Sequence, residues 1–358
     1  MRAALSGAAL FVAVVVASSC GVAAPPVRAA SRPTSAPPTA RPPASTAPAV
    51  VPRAIVAALP VPPPLTPFPG DPARPWAPSG RRVEGTAAVF ETTVVPPGGT
   101  QLAGVAWMDT RLLSARLYSG SVSPSGGPYR YTAPIEPAQA STLVAAFNGG
   151  FKMPDAHGGY YTEGRVIVPL RPGAASFVIY RSGGVDVGAW GREVSMTGAV
   201  VGVRQNLVLL VDGGRPTAAA RSADWQAWGN TCGVVSCAAS VPGVDHQWRS
   251  GVGITSDGAL VFAYGPALDP MQLAEILVRC GAVRAMELDI NPYWPVFATY
   301  RPAGAHGLAD PANGHKLLAG GIQGPATFFD PAWARDFITM SARPVTVLVS
   351  GTAGAGAG

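Results

Sequence analysis

The most chemically loaded run in the chain is Met286-Glu287-Leu288-Asp289-Ile290-Asn291-Pro292-Tyr293-Trp294. Read as a strand, it turns Glu287, Asp289 and Asn291 to one face and Met286, Leu288 and Ile290 to the other. Two carboxylates at that spacing stand roughly 7 Å apart at Cα. Their repulsion raises the pKa of one of them, giving a protonated acid beside an ionised base at neutral pH. Glycoside hydrolysis uses that pairing. The same three side chains suit Ca²⁺ or Mg²⁺ instead, and a fuller metal site would need Asp212 or Asp155 as further ligands beside Asp289. A solvated strand face is the remaining reading.

Three more runs place polar groups where apolar strands end, which is where open sheets carry their sites. Asn148-Gly149-Gly150-Phe151-Lys152 closes an apolar run and continues through Asp155, His157, Tyr160, Tyr161 and Glu163. Mixed polar and aromatic loops of this kind bind sugars, with Asn148, Gly149, Lys152 and His157 as candidate contacts. Arg249, at the head of a glycine-interrupted strand, is shaped to take a phosphate or carboxylate bidentately, or to make an ion pair. Arg204-Gln205-Asn206 precedes the apolar Leu207–Val211, which Asp212-Gly213-Gly214 follows. No Gly-x-Ser-x-Gly, His-Glu-x-x-His, Gly-Lys-Ser/Thr or Gly-x-Gly-x-x-Gly occurs, so serine hydrolase, zincin and nucleotide chemistry are poorly supported.

The elements that position these residues are short strands punctuated by glycine. Runs expected as strands include 87–95, 104–108, 113–118, 142–147, 176–180, 199–203, 207–211, 251–255, 260–264, 285–290 and 345–349. Ser182-Gly183-Gly184 and Ser256-Asp257-Gly258 read as hairpin turns. One helix is expected over 270–280, where Asp269 caps, Pro270 opens, and Leu273, Ile276, Leu277 and Cys280 recur at helical spacing. Cys280 is then a buried apolar residue. The expected fold is α+β: a single domain with a mixed, largely antiparallel curved sheet and few helices, in which one β-α-β unit is embedded.

Ahead of the domain the composition changes. Residues 25–80 hold 18 of the 38 prolines and two glycines, so residues 21–80 read as a Pro/Ala-rich disordered linker before a domain over 81–350. Residues 1–20 have the layout of a secretory signal ending in a lipobox-like Ala17-Ser18-Ser19-Cys20, which makes Cys20 the expected lipid anchor and the only link to a membrane. Residues 351–358 read as a flexible Gly/Ala tail. In an oxidising compartment Cys232 and Cys237 suit a small disulfide. Of the net charge of +6, residues 1–80 carry +5, leaving the domain nearly neutral and unsuited to nucleic acid.

Taken in order, Asn148–Phe151, Asn206–Gly213, Arg249–Gly258 and Leu288-Asp289 resemble the motifs of the phosphodiester glycosidase (N-acetylglucosamine-1-phosphodiester alpha-N-acetylglucosaminidase-like) family. Ile290-Asn291-Pro292 replaces the glycines that follow Leu-Asp in that family, a form similar to an actinobacterial secreted subgroup. The resemblance implies an extracytoplasmic hydrolase that cleaves a sugar-1-phosphodiester in an envelope phosphoglycan or related glycoconjugate. Asp289 and Glu287 would be the acid and base, Arg249 and Lys152 would hold phosphate, and Asn148, Asn206, His157 and Asn291 would complete the substrate site. A non-catalytic envelope-glycan-binding lipoprotein would use the same pocket with its acids tied up in ion pairs.

Overall fold

The computed structural model describes residues 53–72, 74–222, 247–304 and 306–348. The described residues lie in a compact unit that begins at Pro52. An eight-stranded sheet runs in the spatial order Arg215–Pro216, Leu209–Asp212, Ala282–Glu287, Gln247–Thr255, Leu260–Leu268, Ala103–Met108, Val89–Val94 and Ala77–Ser79. A five-stranded sheet is ordered Gly314–Lys316, Phe297–Tyr300, Leu143–Asn148, Phe337–Ala342 and Leu113–Tyr118. A second five-stranded sheet is ordered Val185–Ala189, Ala175–Tyr180, Val200–Gln205, Tyr160–Thr162 and Arg165–Val168. Pairing is antiparallel within these three sheets, which bears out the α+β reading.

Both expected hairpins form, with Gly183 at φ 78° and Gly258 at φ 90°, conformations an L side chain resists. The helix Pro270–Arg279 starts where expected: the Asp269 side chain accepts from the Gln272 amide at 2.7 Å, and Gln272 returns the bond. Its buried Leu273, Ile276 and Leu277 cover the sheet face beside Val211, Val261 and Ala285. Cys280 is buried at the helix end as a free thiol, and burial raises its pKa. The β-α-β unit carries one refinement. Gln247–Thr255 sits between Leu260–Leu268 and Ala282–Glu287, so the crossover skips a strand. The main core draws on all three sheets, with the Phe147 ring against Phe177, Phe262 and Phe297 and Phe262 against Phe297.

The linker reading is corrected for its second half: residues 53–80 belong to the folded unit. Leu59 and Phe68 are buried, and the Leu59 amide donates to Asp109 Oδ2 at 2.7 Å. Arg279 donates to the carbonyls of Thr66 and Pro67 and lies 3.9 Å above the Phe68 ring. Strands Ala54–Val56 and Ala77–Ser79 pair with Val345–Val347 and Val89–Val94. The physical reason is that a few spaced apolar side chains suffice to dock this segment, because proline has already restricted its backbone and little entropy remains to be lost. The signal, the lipobox with Cys20, linker residues 21–52, the Cys232 and Cys237 pair and the 351–358 tail lie outside the described residues.

Candidate active site

The four motifs converge, and they do so chiefly by binding one another's backbones. Asn148 ends the strand Leu143–Asn148; its Oδ1 accepts from the Val296 amide at 3.1 Å, and its Nδ2 donates to Ser250 Oγ at 2.9 Å and to the Gly149 carbonyl at 2.8 Å. Asn206 accepts from the Phe151 amide at 3.0 Å and donates to the carbonyls of Glu287 and Leu288 at 2.9 and 3.0 Å. Both asparagines are buried. Asn148 and Asn206 are therefore framework, not the substrate contacts expected, because their amides satisfy loop backbone that would otherwise be buried unpaired.

Gly149 and Gly150 owe their identity to the same framework. A Cβ on Gly149 would stand 2.0 Å from Asp336 Oδ2, and one on Gly150 would stand 2.6 Å from Asn206 Oδ1. The Gly149 amide donates to the Asp336 carbonyl at 2.9 Å. Asp336 itself holds Arg204 in a forked ion pair at 2.8 and 3.3 Å, with both side chains buried. Arg204 also donates to the carbonyls of Phe151 and Gln205.

Between Glu287 and Asp289 the backbone departs from the regular strand assumed from the sequence. Glu287 stands opposite Gly251, yet the Leu288 amide donates to the Ser250 carbonyl and the Ser250 amide to the Asp289 carbonyl. Two residues thus oppose one, which is a β-bulge, and a bulge re-aims the side chains beyond it. Glu287 meets Arg249 at 2.7 Å, and neither side chain is exposed. Asp289 meets Arg335 at 2.7 Å and accepts from the Asn291 amide at 3.0 Å. The expected carboxylate pair is divided between two arginines.

That division corrects two assignments. Arg249 is spent on Glu287 and on the Leu268 carbonyl, which it reaches at 2.8 Å, so it is not poised for phosphate. Glu287 is buried behind the strand and is not a catalytic partner; burial raises its pKa and Arg249 opposes the rise. Asp289 has its pKa pushed up to about 7, and the leading cause is burial rather than a neighbouring Glu287, with Arg335 pulling the other way. Asn291 and Tyr293 are exposed next to it, so Asp289 sits just beneath the surface where Glu287 does not.

Lys152 and His157 are exposed on the loop after Gly150, His157 at φ 49°, and among the described residues no hydrogen bond or ion pair joins their side chains to Asp289. Asp212 is held by Arg192 at 2.5 Å. Both Asp289 oxygens are engaged, and no group of three His, Cys, Asp or Glu side chains gathers among the described residues. The donor set does not fit a divalent cation. Sequence reasoning missed Arg335 and Asp336. Their signal is a pair of charges immediately ahead of the apolar strand Phe337–Ala342.

The sequence profile of the phosphodiester glycosidase family matches residues 141–289, a segment that contains all four motifs. The resemblance seen in the sequence thus stands over this segment. Among solved structures the chain is similar to the zebrafish N-acetylglucosamine-1-phosphodiester alpha-N-acetylglucosaminidase catalytic domain auto-inhibited by its pro-peptide. Identity is 15%, coverage is 71% of this chain and 82% of that one, and the TM-score is 0.40. It is also similar to a hypothetical protein from Synechocystis at 14% identity, covering 76% of this chain and 65% of that one, with a TM-score of 0.38. A comparison with curated protein sequences finds no match.

Proposed function

We propose that this protein hydrolyses the bond between an anomeric carbon and the phosphate of a sugar-1-phosphodiester, with Asp289 as its reacting carboxyl. The observation that carries this reading is that Asp289 stands at the surface end of the motif cluster, with Glu287 withdrawn into a separate ion pair with Arg249 and the nearby Asp336 committed to Arg204. An ordinary glycoside expels a basic alkoxide and needs an acid as well as a base or nucleophile. A phosphodiester expels a phosphomonoester oxygen whose conjugate acid has a pKa of about 6. It leaves without a proton, so one carboxylate suffices. Water attacks the anomeric carbon, its proton passes to Asp289, the C–O bond breaks, and the electron pair departs on the phosphate oxygen. The products are the free sugar and a phosphomonoester dianion.

The lipobox-like Cys20 and the export signal support an extracytoplasmic, membrane-tethered location, where an envelope phosphoglycan is the substrate class met first. Exposed Asn291, Lys152 and His157 are the contacts for sugar hydroxyls. The purified protein should release sugar from a panel of synthetic sugar-1-phosphodiesters, with and without EDTA. Its kcat/KM should rise with pH to a plateau above about 7, as Asp289 ionises. Asp289→Asn should abolish turnover while the fold persists. Near-wild-type hydrolysis by that variant overturns the assignment. A second reading, a glycan-binding lipoprotein without catalysis, is favoured by the ion pairing of both acids; glycan binding that survives Asp289→Asn, with no turnover by wild type on any diester, would establish it.

A further inference from the structure

With Arg249 committed to Glu287, and Lys152 exposed on its loop with no side-chain bond to Asp289, no expected phosphate-binding cation is fixed beside the reacting carboxyl. One other arginine reaches Asp289. Arg335 is 5% exposed, and its two hydrogen bonds, to Asp289 Oδ2 at 2.7 Å and to the Gly150 carbonyl at 2.8 Å, both leave from Nη2. Its Nε is buried and has no partner. A buried guanidinium N–H without an acceptor is rare and calls for an explanation. The group is held in place all the same: the Trp294 ring lies 4.9 Å from the guanidinium carbon, and Trp294 in turn packs edge-on against Tyr293 and Trp333. An arginine so fixed, with one donor occupied by the reacting carboxyl and another idle, is preorganised for an anion.

We propose that Arg335 is the phosphate-recognition residue of this site, taking a phosphodiester oxygen on its idle Nε while Nη2 keeps hold of Asp289. This inference rests on the phosphodiester glycosidase reading above and supplies the substrate determinant that reading lacks. Arg204 and Arg335 face Asp336 and Asp289, and Asp155 also acts on Arg335, so the cluster has no excess of positive charge before substrate arrives and becomes less negative whenever Asp289 takes up a proton. During the reaction the phosphate passes from one negative charge to two as the C–O electron pair lands on it. A fixed guanidinium in a desolvated setting then stabilises the leaving group more than the bound substrate, which is the condition for raising kcat.

The test has a binding arm and a kinetic arm. Dimethyl phosphate, an anion of constant charge, is titrated by NMR into wild type, Asp289→Asn, and the double variant Asp289→Asn/Arg335→Gln, which leaves no buried charge of this pair unmatched. Asp289→Asn should retain binding, and the double variant should weaken it about ten- to a hundredfold, the range for a hydrogen bond to a charged group. Equal binding by the two variants, or no binding by wild type, overturns the role of Arg335. In the kinetic arm, Arg335→Lys keeps the charge and loses the fork. It should cut kcat/KM on a sugar-1-phosphodiester at least about tenfold, and several-fold less on the 4-nitrophenyl glycoside of the same sugar. Equal losses on both substrates also overturn it. A wild-type protein that binds dimethyl phosphate through Arg335 but hydrolyses no diester refutes the hydrolase reading alone.

Discussion

Glu287→Gln separates the framework from the chemistry. The substitution keeps the side-chain shape and removes the charge, so the buried Arg249 guanidinium faces a neutral amide in place of a carboxylate 2.7 Å away. Removing one partner from a fully buried ion pair costs on the order of 3–5 kcal/mol. The lower end applies, because Glu287 is already an expensive residue: burial raises its pKa and its Oε2 has no hydrogen-bond partner. A loss of about 3 kcal/mol corresponds to a fall in melting temperature on the order of 6–12 °C. Turnover measured well below that temperature should stay within about threefold of wild type, since Glu287 touches no reacting atom. Arg249→Met with Glu287→Leu should recover much of the lost stability, because matched apolar replacements of a buried pair are often neutral. A melting temperature unchanged by Glu287→Gln, or a loss of turnover as complete as that of Asp289→Asn, would refute the division of the two carboxylates.

Two further outcomes are expected. His315 Nε2 lies 3.3 Å from Glu91 Oε2, and that hydrogen bond raises the histidine pKa against the effect of burial. The pair therefore stabilises the fold below the ordinary histidine value of about 6.5 and stops doing so as pH rises through the raised one. Thermal melts should show wild type gaining on His315→Gln at pH 5.5 relative to pH 8.5, by under about 1 kcal/mol for a pair this exposed; a pH-independent difference would count against it. Truncation of residues 53–68 strips Leu59 and Phe68 from the core. At about 1.5–3 kcal/mol for each buried side chain, the melting temperature should drop by several degrees, whereas an unchanged melt would show the segment undocked.

What could be read in the sequence was local. The Asp269 cap, the glycines of the two hairpins and the apolar runs each specify their own backbone, and the strands and helix formed accordingly. The motif residues were also identifiable, but not the direction in which they act. Asn148 and Asn206 look like ligands in one dimension and serve loop backbones in three. Glu287 and Asp289 share a face only in a regular strand, and the bulge opposite Ser250 depends on a neighbouring strand that spacing alone does not reveal. Arg335 follows Asp289 by 46 residues, so its partnership is purely tertiary. Residues 53–80 were misread because composition averages over a segment, while docking needs only a few well-placed apolar side chains.

The pairing of Ala54–Val56 with Val345–Val347 has a mechanical consequence. It is the one parallel pairing in the described sheets, and it joins the first strand of the folded unit to the last. Tension applied between the ends of the unit pulls one strand backward at Ala54 and the other forward beyond Val347. Because the strands run the same way, their bonds are loaded together in shear, and none can open ahead of the rest as in a zipper. The Leu348 amide, bonded to the Val56 carbonyl at 2.9 Å, lengthens the clamp by one more contact. A protein held by one end while a polymer drags on its body would resist pulling at this clasp before its sheets feel the load.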